Sequence, residues 1–141
     1  MKTLKILSIV GLVWYFVWFI LAALTPNDGG QTIPILAGLA CVAFFLYAIF
    51  HAVFACLQGA KNNKTFLKVT SIIGCVIFGL FGFFSILTAM GLVRGDADGY
   101  TAQSALLGFI SISVPFAIAL SIIAILQASK ALKQNHITEK V

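Results

Sequence analysis

Charged residues are scarce in this chain of 141 residues. Asp, Glu, Lys and Arg make up 9% of the sequence, whereas soluble domains carry about 25%. Hydrophobic residues make up 61%, and the mean hydropathy is +1.08. A chain of this composition lacks the polar side chains that a water-soluble fold needs on its surface. The composition therefore excludes a soluble domain.

Four long stretches of the sequence contain no Asp, Glu, Lys or Arg at all, and they cover residues 6–27, 29–60, 69–93 and 99–129. A helix needs about 20 mostly apolar residues to cross the hydrocarbon core of a bilayer. The sequence therefore predicts an all-α integral membrane protein with transmembrane helices at about 4–24, 33–58, 67–93 and 102–130. These helices form one domain over residues 1–133, and a polar cytoplasmic tail follows at 134–141.

The absence of charge within the predicted spans also excludes several mechanisms. A voltage sensor needs charged side chains inside the membrane field, and proton- or cation-coupled carriers commonly keep a carboxylate near the midplane. Cysteine is also sparse, because the chain contains only Cys41, Cys56 and Cys75, without a C-x-x-C spacing. This odd, scattered set predicts no disulfide framework and no zinc site. We therefore expect neither a metal nor another cofactor.

The few charges that are present predict how the chain is oriented. Eight lysines and Glu139 lie at the two chain ends and in the link between the second and third helices, whereas Arg94 and three aspartates lie in the other two links. Lys and Arg in short loops stay on the cytoplasmic side. The sequence therefore predicts an antiparallel up-down bundle with both termini cytoplasmic, as a multi-pass protein of the plasma (inner) membrane. Turn-forming residues at 25–30 and 94–100 then connect the helices outside.

This distribution also explains the net charge of +5 without a nucleic acid. Lysines near the membrane surface attract anionic lipid headgroups by about 1 kcal/mol each. Membrane lipids, with anionic headgroups on the cytoplasmic side, are therefore the predicted partners. Other membrane proteins, or further copies of this chain, are additional expected partners.

Small residues at helical spacing predict where the helices touch. Helices in lipid approach closely where Gly, Ala, Ser or Cys recur every four residues, because small side chains let two backbones come together. Three of the four helices carry such rows. The residues predicted to form helix-packing faces are Ala48, Ala52, Cys56, Ser71, Gly79, Ser113 and Ala117.

His51 is the one side chain within a predicted span that titrates near neutral pH. Counted inward at about 1.5 Å per residue from the nearest lysines, Tyr15 or Trp14, Cys75 and Ser121 reach a similar depth. We expect an intramembrane polar layer of His51, Tyr15, Cys75 and Ser121. Two hypotheses for His51 remain open. A neutral histidine can fix helix packing by hydrogen bonds, whereas an intramembrane ionisable group can bind a ligand, a proton or a lipid headgroup.

The leading expectation for function is a non-enzymatic accessory, scaffold or assembly subunit that contacts other membrane proteins or lipids. Short links, the lack of a soluble domain and the small-residue faces favour it. The alternative is an oligomeric pore or small-solute transporter with a polar lining around His51. A membrane enzyme or redox protein that uses His51 is a third reading, although no exposed catalytic pair is evident in the sequence.

Overall fold

The computed structural model describes residues 1–24, 32–94 and 99–140, and within these ranges the chain forms four long helices. They are α1 (Lys2–Leu24), α2 (Thr32–Lys61), α3 (Thr65–Arg94) and α4 (Gly99–Glu139). Each helix is long and apolar enough to cross a membrane, which confirms the predicted all-helical class with four candidate spans. Residues 25–30 and 95–98 of the predicted outer turns lie outside the described part of the chain.

The fourth helix extends farther toward the C-terminus than the sequence predicts. The sequence prediction ends the helix near residue 130 and assigns 134–141 to a polar tail, whereas α4 continues to Glu139. Loss of apolar character does not end a helix by itself, because Ala, Leu, Lys and Gln are all strong helix formers. These residue types fill positions 131–134, so α4 runs on into a polar segment.

The four helices form a bundle with α2 and α4 as its central pair. Each of these two helices contacts the other three, and among the described residues α1 and α3 do not approach each other. The most extensive packing joins α2 to α3, followed by α1 to α4. The interface between α1 and α2 is the least extensive, yet it contains the polar contacts described below.

Aromatic rings fill the space between α1 and α2. The Tyr15 and Trp18 rings lie 5.5 and 6.1 Å from the Phe44 ring, edge to face in both cases. Phe44 in turn meets Phe45 edge to face at 5.1 Å. Aromatic pairs favour such edge-to-face geometry, which adds about 0.5–1.5 kcal/mol beyond the buried area. Large rings therefore hold α1 and α2 together while keeping their backbones apart.

The link between α2 and α3 is a tight turn built on Asn63. Asn63 has a φ of 53°, which places it in the left-handed region. The Lys64 N–H donates to the Gly59 carbonyl at 2.8 Å, and the Asn63 N–H donates to the Ala60 carbonyl at 3.5 Å. These two bonds satisfy carbonyls at the end of α2 and form a Schellman motif. The turn fixes where α3 begins relative to α2.

Gly59 is a point of close backbone approach between these two helices. A Cβ added to Gly59 would lie 2.9 Å from the Lys68 backbone nitrogen and 3.2 Å from the Lys68 Cα. Both atoms belong to the backbone and have no rotamer by which to move aside. Gly79 is different, because an added Cβ would meet no atom within 4 Å. Only the first of these glycines is therefore required by the packing within one chain.

We expect the Gly59→Ala variant to lose about 1–3 kcal/mol of unfolding free energy, because the new methyl group forces α2 and α3 apart. The Gly79→Ala variant is the matched control and should stay within about 0.5 kcal/mol of the parent protein. Both values are measurable by SDS titration of the purified protein in mixed micelles, followed by circular dichroism. Equal losses in the two variants would contradict the close approach at Gly59.

Candidate functional site

His51 is the centre of the polar contacts in the bundle interior. It lies on α2 and is fully buried, and α1 supplies two hydroxyl groups to its ring. The Ser8 Oγ lies 2.9 Å from His51 Nε2, and the Tyr15 hydroxyl lies 3.3 Å from His51 Nδ1. Ser8 and Tyr15 are seven residues apart, about two helical turns, so both side chains leave the same face of α1. One imidazole ring therefore joins α2 to two positions on α1 that lie about two turns apart.

The two hydroxyls match what a neutral imidazole needs. A neutral ring has one nitrogen that donates and one that accepts, and a hydroxyl can do either. If Nε2 carries the hydrogen, it donates to Ser8 while Tyr15 donates to Nδ1. If Nδ1 carries the hydrogen, both directions reverse. The chain itself therefore satisfies His51 in either tautomer, and no ring nitrogen is left over for a solute.

Tyr47 adds a further hydrogen bond between the same two helices. Its hydroxyl donates to the Leu7 carbonyl on α1 at 2.9 Å. The Tyr47 ring lies over Gly11, where an added Cβ would come within 3.2 Å of the ring. Its centroid is 6.0 Å from that of Tyr15 and 6.3 Å from that of His51. Gly11 thus makes room on α1 for the ring that bonds to the preceding turn.

The structure brings together only part of the expected polar layer. Tyr15 reaches His51, but Ser121 is buried with no hydrogen-bond partner among the described residues. Cys75 is half-buried beside the core, with no described bond to the histidine. Trp14, the alternative to Tyr15, is more than one third exposed and packs edge to face on Trp18 at 5.9 Å.

Ser8 and Gly11 are the site residues that the sequence reading missed. A signal for Ser8 exists in the sequence, because it lies seven residues before Tyr15 and so shares a helix face with it. Counting depth alone selects residues at one level, whereas the two nitrogens of a histidine point in different directions along the bundle. Gly11 is the single glycine of α1, which is a weaker signal.

Most residues of the predicted packing faces are directed inward. Ala48, Ala52, Ser71, Ser113 and Ala117 are fully buried, whereas Cys56 and Gly79 are half-buried. The buried hydroxyls of this group, Ser71 and Ser113, have no hydrogen-bond partner among the described residues. The Trp18 Nε1 is in the same situation. Buried hydroxyls therefore include a bonded set around His51 and an unbonded set on α3 and α4, namely Ser71, Ser113 and Ser121. Ser85 on α3 belongs to neither set, because it donates to the Phe81 carbonyl of its own helix at 2.7 Å.

The distance between Ser8 and His51 also fits a nucleophile and its general base, which stand at about 2.6–3.2 Å in hydrolases. Access distinguishes the two cases. Both side chains are completely enclosed, and the second ring nitrogen of His51 meets a tyrosine rather than an orienting carboxylate. A substrate carbonyl cannot reach the Ser8 oxygen in this arrangement. The geometry thus supports a packing contact better than a catalytic pair.

No group of three or more His, Cys, Asp or Glu side chains is arranged to hold a metal ion within the described ranges. The cysteines stand free and apart from the His51 contacts. Compared with protein-family models, curated proteins and solved structures, the chain matches none of them. Any functional assignment therefore depends on the residues themselves.

We expect Ser8→Ala to lower the unfolding free energy by about 0.6 kcal/mol, and by no more than about 1.7, which is the range measured for hydrogen bonds between membrane helices. His51→Leu should cost more, about 1–3 kcal/mol, because it leaves the Ser8 and Tyr15 hydroxyls unpaired. SDS titration in mixed micelles measures all three proteins under one condition.

Ser121→Ala is the matched control for Ser8→Ala, since it removes a buried hydroxyl that has no described partner. Its stability should remain unchanged or rise, because an unpaired polar group in the interior is unfavourable. If Ser8→Ala and Ser121→Ala behave alike, the hydrogen bond to His51 does not stabilise the bundle.

Proposed function

We propose that this chain is a small, non-enzymatic membrane protein that acts as an accessory, scaffold or assembly subunit for other membrane proteins or for lipids. The observation that carries the proposal is the closure of the interior around His51, whose two ring nitrogens are bonded to Ser8 and Tyr15. A site for a solute needs an accessible polar group, and these groups are enclosed. Contacts with partners then belong to the outer faces and the ends of the helices.

The outer faces have the character that contact with lipid or membrane helices requires. Large apolar side chains are exposed on every helix, as with Phe16 on α1, Leu46 on α2, Val76 on α3 and Leu126 on α4. Soluble monomers rarely expose contiguous apolar surface of this kind. In a bilayer these side chains contact acyl chains, or the apolar faces of other membrane proteins.

The proposal includes an orientation. In it, the helices run antiparallel through the plasma (inner) membrane, and both termini lie in the cytoplasm together with the link between α2 and α3. The lysines of the two ends and of that link support this placement, since basic residues in short loops remain inside. Contacts at opposite ends of α2 and α3 agree with an antiparallel pair, because Gly59 meets Lys68 and Gly82 meets Phe45.

The alternative is an oligomeric pore or small-solute transporter. The observation that favours it is the set of unpaired buried hydroxyls, Ser71, Ser113 and Ser121, on α3 and α4. If α3 and α4 separated from each other, these groups would offer hydrogen bonds to a solute. The bonded set around His51 would not contribute, because α1 and α2 already satisfy it.

Photo-crosslinking in native membranes tests the accessory function. Phe50 is 58% exposed on α2, whereas Phe44 on the same helix is fully buried. We expect Phe50→p-azidophenylalanine to form a discrete adduct with one membrane protein, and Phe44→p-azidophenylalanine to form none. Gel shift and mass spectrometry identify the adduct.

The same proteins in proteoliposomes address the alternative. Flux of protons, potassium or small neutral solutes should not exceed that of empty liposomes. A flux that Ser113→Val or Ser121→Val abolishes would contradict the accessory function and favour the transporter. If exposed positions on all four helices gave adducts with lipids alone, the partners would be lipids and the contacts with other membrane proteins would be refuted.

Cysteine labelling tests the proposed orientation. In a chain whose three native cysteines are replaced by alanine, we expect Asp96→Cys to react with a membrane-impermeant maleimide in intact cells. Asn63→Cys should react only after permeabilisation, because the positive-inside rule places its basic link in the cytoplasm. The opposite pattern of labelling would reverse the orientation without altering the fold.

A further inference from the structure

A groove lies between the start of α1 and the end of α4. It has a volume of about 560 Å³. The groove is separate from the contacts of His51 and shares no residue with them. Its lining consists of Lys2, Lys5, Ile6 and Ile9 from α1, and of Leu132, Asn135, His136 and Glu139 from α4.

The lining of this groove changes character along both helices. On α1 the lysines come first, at the helix start, and Ile6 and Ile9 follow toward the middle of the span. On α4 Leu132 lies on the side of the span, and the polar residues 135, 136 and 139 follow toward the helix end. In the groove, each helix thus presents apolar side chains toward the middle of the span and polar side chains toward its end. A ligand that fits both parts must be amphipathic.

The charges of the groove lining indicate the sign of the charge that a ligand there would carry. Lys2 and Lys5 face a single carboxylate, that of Glu139, so the groove has an excess of one positive charge when His136 is neutral. One phosphodiester group would neutralise that excess. Side chains of Asn135 and His136 are exposed and able to donate hydrogen bonds to phosphate oxygens.

We propose that this groove is a binding site for an anionic phospholipid with one negative charge. Its phosphate lies between Lys2 and Lys5 of α1 and the polar residues of α4, and its acyl chains follow Ile6, Ile9 and Leu132 into the bilayer. The proposal rests on the proposed function in one respect, namely that the helices span a membrane. It deepens that function by assigning a specific lipid site to the cytoplasmic end of the bundle.

A phospholipid fits the groove better than a second copy of the chain does. A second copy related by symmetry would bring its own Lys2 and Lys5 to the same place, and like charges repel at such an interface. The exposed Ile6 and Ile9, 56% and 45% accessible, need an apolar covering that a free phosphate ion lacks. Only a ligand with both an anionic head and an apolar tail covers the whole lining.

Native mass spectrometry of the delipidated full chain tests the site. The probes are phosphatidylglycerol, which is anionic, and phosphatidylcholine, which has no net charge. We expect phosphatidylglycerol to bind more tightly. The double variant Lys2→Gln/Lys5→Gln should weaken its binding by roughly thirtyfold, since each lysine near the surface favours an anionic lipid about fivefold. Phosphatidylcholine binding should not change between the two proteins.

The matched control is Lys61→Gln/Lys68→Gln, which removes two exposed lysines outside the groove. Its binding of phosphatidylglycerol should fall much less than that of the groove variant, because Lys61 and Lys68 attract anionic lipid only as general surface charge. Glu139→Gln provides a second test of opposite sign, because removing the carboxylate should strengthen the binding of phosphatidylglycerol. Free glycerophosphoglycerol, the phosphatidylglycerol headgroup with the same single charge but without acyl chains, should bind at least tenfold more weakly than the lipid.

Three results would overturn the site. They are equal losses in the groove variant and in the control variant, equal binding of the two lipids, and equal binding of glycerophosphoglycerol and phosphatidylglycerol. Failure of the site is distinguishable from failure of the proposed function. A chain that inserts into liposomes but shows one of these results lacks the lipid site alone, whereas a chain that does not insert contradicts the membrane assignment itself.

Discussion

Close association of the helices is the constraint on which this bundle depends, and hydrogen bonds between His51 and α1 contribute to it at the least extensive interface. Between membrane helices the hydrophobic effect provides little attraction, because lipid tails are as apolar as leucine, so association depends on close packing and on bonds between polar groups. Small residues and glycine allow close packing of α2 on α3, as Gly59 shows. Between α1 and α2, aromatic rings separate the backbones, and the polar ends of those rings make the bonds instead.

The sequence determines how deep a side chain lies in its span better than it determines which way that side chain points around the helix axis. The polar layer around His51 illustrates why. The spacing of charged residues indicated the four spans, and a rise of about 1.5 Å per residue matched the depth of Tyr15 to that of His51. Cys75 and Ser121 satisfied the same count, but depth does not determine which way a side chain points around its helix axis. Ser8 is the opposite case, because it points toward His51 but lies two turns away from Tyr15, at a different depth. A prediction based on depth alone therefore misses it.

Helix ends and packing faces show the same division. Hydropathy locates where apolar sequence stops, whereas a helix continues for as long as its backbone bonds can form, so α4 extends into the polar segment up to Glu139. Small-residue rows identified inward positions such as Ala48 and Ser113, but Gly79 faces open space within one chain. A small residue permits a close contact, and only the neighbouring helix decides whether that contact is made.

Accessibility to a ligand, more than residue identity, distinguishes the groove at one end of the bundle from its interior. The interior contains a serine and a histidine at 2.9 Å, a spacing also found in catalytic pairs, but the surrounding helices enclose both side chains completely. The groove between α1 and α4 contains ordinary lysines and a single carboxylate, yet it is open and lies where an apolar span gives way to polar residues. Recognition requires exposed groups whose arrangement matches a ligand. In the proposed function, binding therefore belongs to the surface and the open groove of the bundle, while the buried histidine joins α2 to α1.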